Sequence, residues 1–153
     1  LAIQTICATG IRVSELAYIT VEAARRGRAD IALKGKLRTI LLPARLCRRL
    51  LKFAGKNKIA FGAIFLTKSG RPLSRTQIWA EMKRLCAKAG VAAEKVFPHN
   101  LRHLFARTFY ESCRDVVKLA DILGHSSVET TRLYLLTTGA EHLRQLEQLR
   151  LLC

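Results

Sequence analysis

The chain has 153 residues, enough for one domain with a proper core, and 50% of them are hydrophobic, which excludes a disordered chain. Its 27 Lys and Arg against 11 Asp and Glu leave a net charge of +16. Such an excess on a folded domain points to a polyanion: DNA, RNA or an anionic membrane surface. The membrane is the weakest of these, because no apolar run has spanning length and the basic residues are scattered rather than gathered on one amphipathic helix. Leu1 to Ala8 reads as the tail of a helix, with Gly10 a natural stop just beyond it. With Leu in place of Met at position 1 and no basic flank of a signal peptide, the chain reads as an excised domain whose first helix began in a preceding part. Arg12 opens a second short helix, with Val13, Leu16 and Ile19 facing in. Arg12 and Glu15 share another face, a spacing that an ordinary surface ion pair also has.

From Asp30 the pattern changes. Ile31 and Leu33, the turn Lys34-Gly35-Lys36, then Leu37, Ile40 and Leu42 read as two short strands about a tight basic turn. Pro43 ends the second strand, and a helix follows with Leu46, Cys47, Leu50, Leu51 and Ala54 on one face, closed by Gly55. Ile64-Phe65-Leu66-Thr67 predicts a third strand, leading into the turn Lys68-Ser69-Gly70-Arg71-Pro72. Ser74 with Gln77 is a capping box for a helix burying Ile78, Met82, Leu85, Cys86 and Ala89, and Gly90 stops it. Pro98 starts a helix on which His99, Arg102 and His103 share the wet face, while Leu101, Leu104, Phe105, Thr108 and Phe109 form the core-seeking one. Asp115 caps a short helix carrying Val116, Leu119, Ala120 and Leu123, ended by Gly124-His125. Ser126 with Glu129 caps the helix bearing Tyr134, and Thr138 with Glu141 caps a last helix striped by Leu143, Leu146, Leu149 and Leu152. The expected fold is mainly α with a small antiparallel three-stranded sheet (α+β).

Five cysteines (7, 47, 86, 113 and 153) form no CxxC pair, and four sit within or beside apolar helical patterns, which fits a reducing interior and not a disulfide framework. His99 and His103 have the i, i+4 spacing of zinc-protease histidines. Asn100 stands where that motif needs its Glu, and no third ligand is evident, so no metal site is expected.

Four stretches in order resemble the signature of the tyrosine recombinases, the phage-integrase family: Ala8-Thr9-Gly10-Ile11-Arg12-Val13-Ser14-Glu15-Leu16, Pro98-His99-Asn100-Leu101-Arg102-His103, Leu123-Gly124-His125-Ser126-Ser127 and Thr130-Thr131-Arg132-Leu133-Tyr134. The resemblance is closest to integrases of bacterial mobile elements. It implies that residues 1–153 are a catalytic domain lacking the family's N-terminal DNA-clamping domain, with segment 139–153 as a C-terminal helix that docks on a neighbouring subunit, although its leucine stripe fits packing on its own domain about equally well. It further implies double-stranded DNA as partner, a homotetramer on that DNA, and a bacterial cytoplasmic protein that is nucleoid-associated when bound. No ATP, cofactor or catalytic metal is implied.

Breaking a phosphodiester without metal requires a nucleophile, neutralisation of the non-bridging oxygens and an acid for the departing oxygen. By resemblance Tyr134 is the nucleophile, forming a 3′-phosphotyrosine link. Arg12 and Arg102 flank the phosphate, where a planar guanidinium binds two oxygens at once. His99 and His125 supply hydrogen bonds and proton transfer near neutrality. The family's lysine sits in a Gly-Lys-Gly turn a few residues before an Arg. Here Lys34-Gly35-Lys36-Leu37-Arg38 offers Lys34, with Lys36 in reserve, to protonate the leaving 5′ oxygen. Lys34 and Lys36 are also expected, with Arg12 and Arg102, to grip DNA. Glu15 and His103 are expected in supporting roles. Tyr134 also lies amid Leu133, Leu135 and Leu136, company in which a tyrosine packs into a core. A DNA-binding module would need neither Tyr134 nor His125, whereas a type IB topoisomerase-like nicking activity would use similar chemistry without site choice.

Overall fold

The computed structural model describes residues 1–33, 36–92, 94 and 96–135. In chain order these form α1 (Ala2–Thr9), a 3-10 turn (Val13–Tyr18), α2 (Val21–Arg26), strands β1 (Arg28–Leu33) and β2 (Lys36–Leu41), α3 (Ala44–Lys56), α4 (Arg75–Ala89), α5 (Pro98–Cys113), α6 (Val116–Leu123), α7 (Val128–Arg132) and a 3-10 turn (Leu133–Leu135). No helix among them is long and apolar enough to cross a membrane. The Thr138–Glu141 capping box and the leucine-striped last helix lie outside the described residues.

Local signals set most element ends. Gly10 closes α1 in the left-handed conformation, with its N–H on Ile6 O at 2.8 Å. Ser74 and Gln77 form the reciprocal box at the start of α4, each side chain taking the other's backbone N–H at 3.2 and 2.9 Å. Asp115 accepts Lys118 N–H at 2.9 Å to start α6. Gly55 does not close α3, which continues to Lys56 because one exposed glycine costs a helix only about 1 kcal/mol; Asn57 ends it by bonding back to Phe53 O. At α7 the capping hydroxyl belongs to Ser127, not Ser126: its Oγ accepts Glu129 N–H at 3.2 Å.

The sheet is mainly where expectation and structure part. Among the described residues it has two antiparallel strands, not three, registered from Arg28 opposite Leu41 to Leu33 opposite Lys36. Residues 63–67 instead lie across the entry to α2 and make only isolated bridges, Thr20 to Ala63 and Leu66 to Pro72. Pro72 has no N–H with which to extend the second ladder. Ile64 and Phe65 are both buried, so the run lacks the period of a half-buried strand.

The main core gathers α1, the first 3-10 turn, α2, the inner face of the hairpin, α3, Ile64, Phe65 and the first half of α4. Each fully buried residue there, such as Ile6, Leu16 or Leu50, contributes roughly 1.5–3 kcal/mol of transfer free energy. Helix α4 buries only Ile78, Met82 and Cys86; Leu85 and Ala89, expected inside, are exposed. A second, smaller cluster joins Ala106 of α5 to Leu119 and Leu123 of α6 and to Tyr134. Polar groups that neither cluster could hold alone meet between the two.

Candidate active site

Arg102 sits at that junction and is 2% exposed, which corrects the expectation of a cationic trio on the wet face of α5. The apolar side is narrower than expected too, since Leu104 is exposed and Ala106 takes the buried position. A buried guanidinium must find acceptors or destabilise the fold. Arg102 Nη1 donates to Gly10 O at 2.5 Å, and Nη2 donates to Leu123 O at 2.8 Å. The ends of α1 and α6 therefore hold it as a cage of carbonyls. Gly10 allows the approach, because a side chain there would collide with the Phe105 ring. Burial first, and then the Arg12 and Arg38 charges, pull the Arg102 pKa down to about 10, with the Tyr134 hydroxyl opposing. The guanidinium stays charged at neutral pH.

Arg12 is the N-cap of the first 3-10 turn, and its backbone N–H donates to Glu15 Oε2 at 2.7 Å. Its own Nη1 donates to Glu15 Oε1 at 3.1 Å. Glu15 is 1% exposed, whereas the Arg12 side chain is 47% exposed, so the pair is no surface bridge: the carboxylate is buried and the guanidinium reaches solvent. A second cation, Arg38 of β2, shares the carboxylate, with Nη1 at 2.9 Å from Oε1 and 3.1 Å from Oε2.

His125 follows Gly124, the left-handed C-cap of α6. Its Nε2 lies 2.9 Å from Arg102 Nη2, and its Nδ1 lies 2.8 Å from Thr131 Oγ1. A guanidinium can only donate, so Nε2 must be the acceptor and the ring proton rests on Nδ1, facing the buried Thr131 hydroxyl. Burial, followed by the charges of Arg102, Arg12 and Arg38, pushes the His125 pKa down to about 4, which agrees with a neutral ring.

Tyr134 lies in the 3-10 turn after α7, not within a helix as expected, and is 8% exposed. Its ring packs in the second cluster and on His103, with centroids 4.1 Å apart, while its hydroxyl lies 3.4 Å from His99 Nε2. Core packing and an aimed hydroxyl thus coexist in one residue. His99 stands in the first turn of α5, edge-on to His103. Its pKa is lowered by burial and then by Arg102 and Arg12; that of His103 is lowered by burial and then by His99. Both shifts favour neutral imidazoles able to accept a proton.

Arg12, Glu15, His99, Arg102, His103, His125 and Tyr134, drawn from α1's exit, α5, α6's exit and the last 3-10 turn, thus form one constellation. Of the lysine candidates, Lys34 lies outside the described residues, and Lys36 is placed by its backbone alone at the start of β2. A cavity of about 750 Å³ opens beside Arg12, His99 and Arg102, with Arg75, Thr76 and Trp79 of α4 as its opposite wall. Among the described residues, no three His, Cys, Asp or Glu side chains converge as metal ligands would. Sequence reasoning missed three contributors: Arg38, Thr131 and the α4 wall. An exposed Trp beside Arg75 at a helix start is a signal for the last of these, while Thr131 carries none.

Residues 1–140 match the phage integrase family, and the chain belongs to it. Among relatives, the tyrosine recombinase XerH of Campylobacter jejuni subsp. jejuni is 34% identical over 140 residues, 88% of this chain and 40% of that protein. The crystal structure of XerA recombinase superposes with a TM-score of 0.79 at 25% identity, covering 99% of this chain and 56% of that one. XerH site-specific recombinase bound to difH substrate, in a pre-cleavage complex, superposes with a TM-score of 0.75 at 26% identity, covering 93% and 43%. The chain therefore spans about half or less of the proteins it resembles.

Proposed function

We propose that the chain is the strand-cleaving domain of a site-specific DNA recombinase, which breaks and rejoins duplex DNA through a 3′-phosphotyrosine link without ATP or metal. The observation that carries this reading is the contact of Tyr134 OH with His99 Nε2 and with the Arg102 guanidinium, two groups that line one cavity together with Arg12. In this reading the Tyr134 oxygen attacks phosphorus, and its proton passes to neutral His99 Nε2. Arg12 and Arg102 neutralise the non-bridging oxygens, with His125 handing Arg102 a fixed acceptor. The 5′ oxygen departs with a proton from Lys34, or from Lys36. Rejoining reverses each step, so the phosphodiester energy is kept. Arg75, Thr76 and Trp79 give the duplex a second wall, where a cation and an aromatic face suit phosphate and sugar.

In this reading a DNA-clamping domain of the family's kind closes on the duplex from the other side, and segment 139–153 docks in trans within a homotetramer on DNA. XerH site-specific recombinase bound to its difH substrate supports DNA as the partner.

The test captures covalent adducts. The chain is incubated with a nicked difH duplex and with a library of nicked duplexes of randomised sequence, then denatured. A denaturant-resistant protein–DNA adduct that forms equally in EDTA is expected. Cleavage abolished by EDTA and restored by Mg²⁺ or Zn²⁺ would overturn the roles given to Arg12 and Arg102.

A further inference from the structure

Arg38 has no part in the chemistry above, yet it is built into the site's frame. Antiparallel pairing sets it opposite Ile31, a buried residue, so the two side chains share the inner face of the hairpin. Its side chain is 13% exposed. Nη1 donates to both Glu15 oxygens, and Nη2 donates to Ile122 O at 2.6 Å, at the end of α6. Its aliphatic stem runs through the space that a side chain at Gly124 would fill. Nε is buried with no partner. Arg38 thus brings both packing volume and a buried positive charge to this frame.

Among the described residues, that charge pairs with one carboxylate. Glu15 Oε1 accepts from Arg38 Nη1 at 2.9 Å and from Arg12 Nη1 at 3.1 Å, so two guanidinium groups face one carboxylate. Arg38 is fixed and buried; Arg12 is the one that reaches the cavity. Were Arg38 neutral, Glu15 would pair wholly with Arg12, the other cation bonded to it, and compete with any phosphate for it.

We propose that Arg38 is a positioning residue: it neutralises Glu15 and thereby leaves the Arg12 guanidinium available to the scissile phosphate. The inference rests on Arg12 being a phosphate ligand, as read above. It predicts that Arg38 matters only while Glu15 carries a charge. A residue serving packing alone would matter equally whether position 15 is Glu or Gln.

The experiment measures adduct formation on a nicked duplex recovered from the randomised library. Arg38→Gln should slow cleavage of the phosphate substrate at least about a hundredfold, the scale of losing one preorganised charge contact. Arg38→Lys should recover most of that rate. In a Glu15→Gln background, Arg38→Met should change the rate by less than about threefold, because no carboxylate remains to be neutralised. A methylphosphonate at the scissile position, which lacks the charged oxygen, should be cleaved by Arg38→Gln nearly as fast as by the unmodified chain. Equal cleavage of the phosphate by Arg38→Gln and the unmodified chain would overturn the inference. So would a tenfold or greater loss from Arg38→Met in the Glu15→Gln background, a comparison that stands even if Arg38→Gln fails to fold. Inorganic phosphate decides the point without cleavage: followed at the Arg12 Nε–H resonance, its binding should weaken about tenfold in Arg38→Gln and return in Arg38→Gln/Glu15→Gln. Unaltered phosphate binding in Arg38→Gln would sink the proposal, even where no adduct forms and the recombinase reading itself has failed.

Discussion

Replacing Gly124 with Ala should destabilise the chain by about 3–4 kcal/mol, far more than the same change at Gly90. Both glycines close helices at nearly the same left-handed dihedral, φ +66° and +64°, so both pay about 1 kcal/mol for a Cβ in that region. They differ in what surrounds them. A Cβ at Gly90 meets nothing within 4 Å, whereas one at Gly124 would occupy the path of the Arg38 side chain. Arg38 must then give up its bond to Ile122 O and part of its hold on Glu15, and a charge-assisted hydrogen bond contributes roughly 1.5–3 kcal/mol. Urea unfolding followed by the fluorescence of Trp79, the single tryptophan, measures both variants. In an Arg38→Ala background Gly124→Ala should cost no more than Gly90→Ala does in the unmodified chain, about 1 kcal/mol. Equal costs at the two glycines in the unmodified chain would refute the packing of Arg38 against position 124.

Three further outcomes are expected. The His125 ring should titrate near pH 4, seen in its Cε1–H NMR signal; a midpoint near 6.5 would contradict its burial beside the three arginines. Because this folded-state pKa lies below the unfolded one, the stability it contributes is complete above about pH 6.5 and is lost as pH falls from there towards about 4. Arg102→Lys keeps the charge but cannot serve Gly10 O, Leu123 O and His125 together. It should lower stability by roughly 1.5–3 kcal/mol and cleavage by about 10²–10³, with little loss of DNA affinity. Removing the residues after Gly139 should leave the melting transition in place while weakening assembly on DNA, measured by sedimentation; global unfolding would instead mean that the segment packs on its own domain.

What was legible in the sequence was local. The Ser74–Gln77 box, the Asp115 cap and the stops at Gly10, Gly90 and Gly124 act within a few residues, and each is found where its chemistry put it. The constellation was legible because its residue types are chemically specialised and occur in family order. Burial was harder to read where it depends on distant partners. Arg102 looked solvent-facing on its helix, since nothing near it announces that Gly10 O and Leu123 O will meet there. The hairpin's phase is masked by Leu37, a hydrophobic residue out of step with Ile40 and Leu42. With Ile40 and Leu42 inside, strict alternation turns Leu37 out, where it is 85% exposed, and Arg38 in. A cation at an inward strand position was the available clue to Arg38. The third strand failed for a related reason: Ile64 and Phe65 have strand-like propensity, but their backbone partners are the approach to α2 and the Pro72 turn.

Peptide mapping of the trapped adduct by mass spectrometry after nuclease digestion tests directly whether Tyr134 is the nucleophile. A nucleotide joined through its 3′ phosphate to the peptide containing Tyr134 is expected, with no adduct from Tyr134→Phe, whose stability should fall by at most about 0.5–1.5 kcal/mol. Attachment at Tyr110 of α5, or an adduct that survives in Tyr134→Phe, would contradict it.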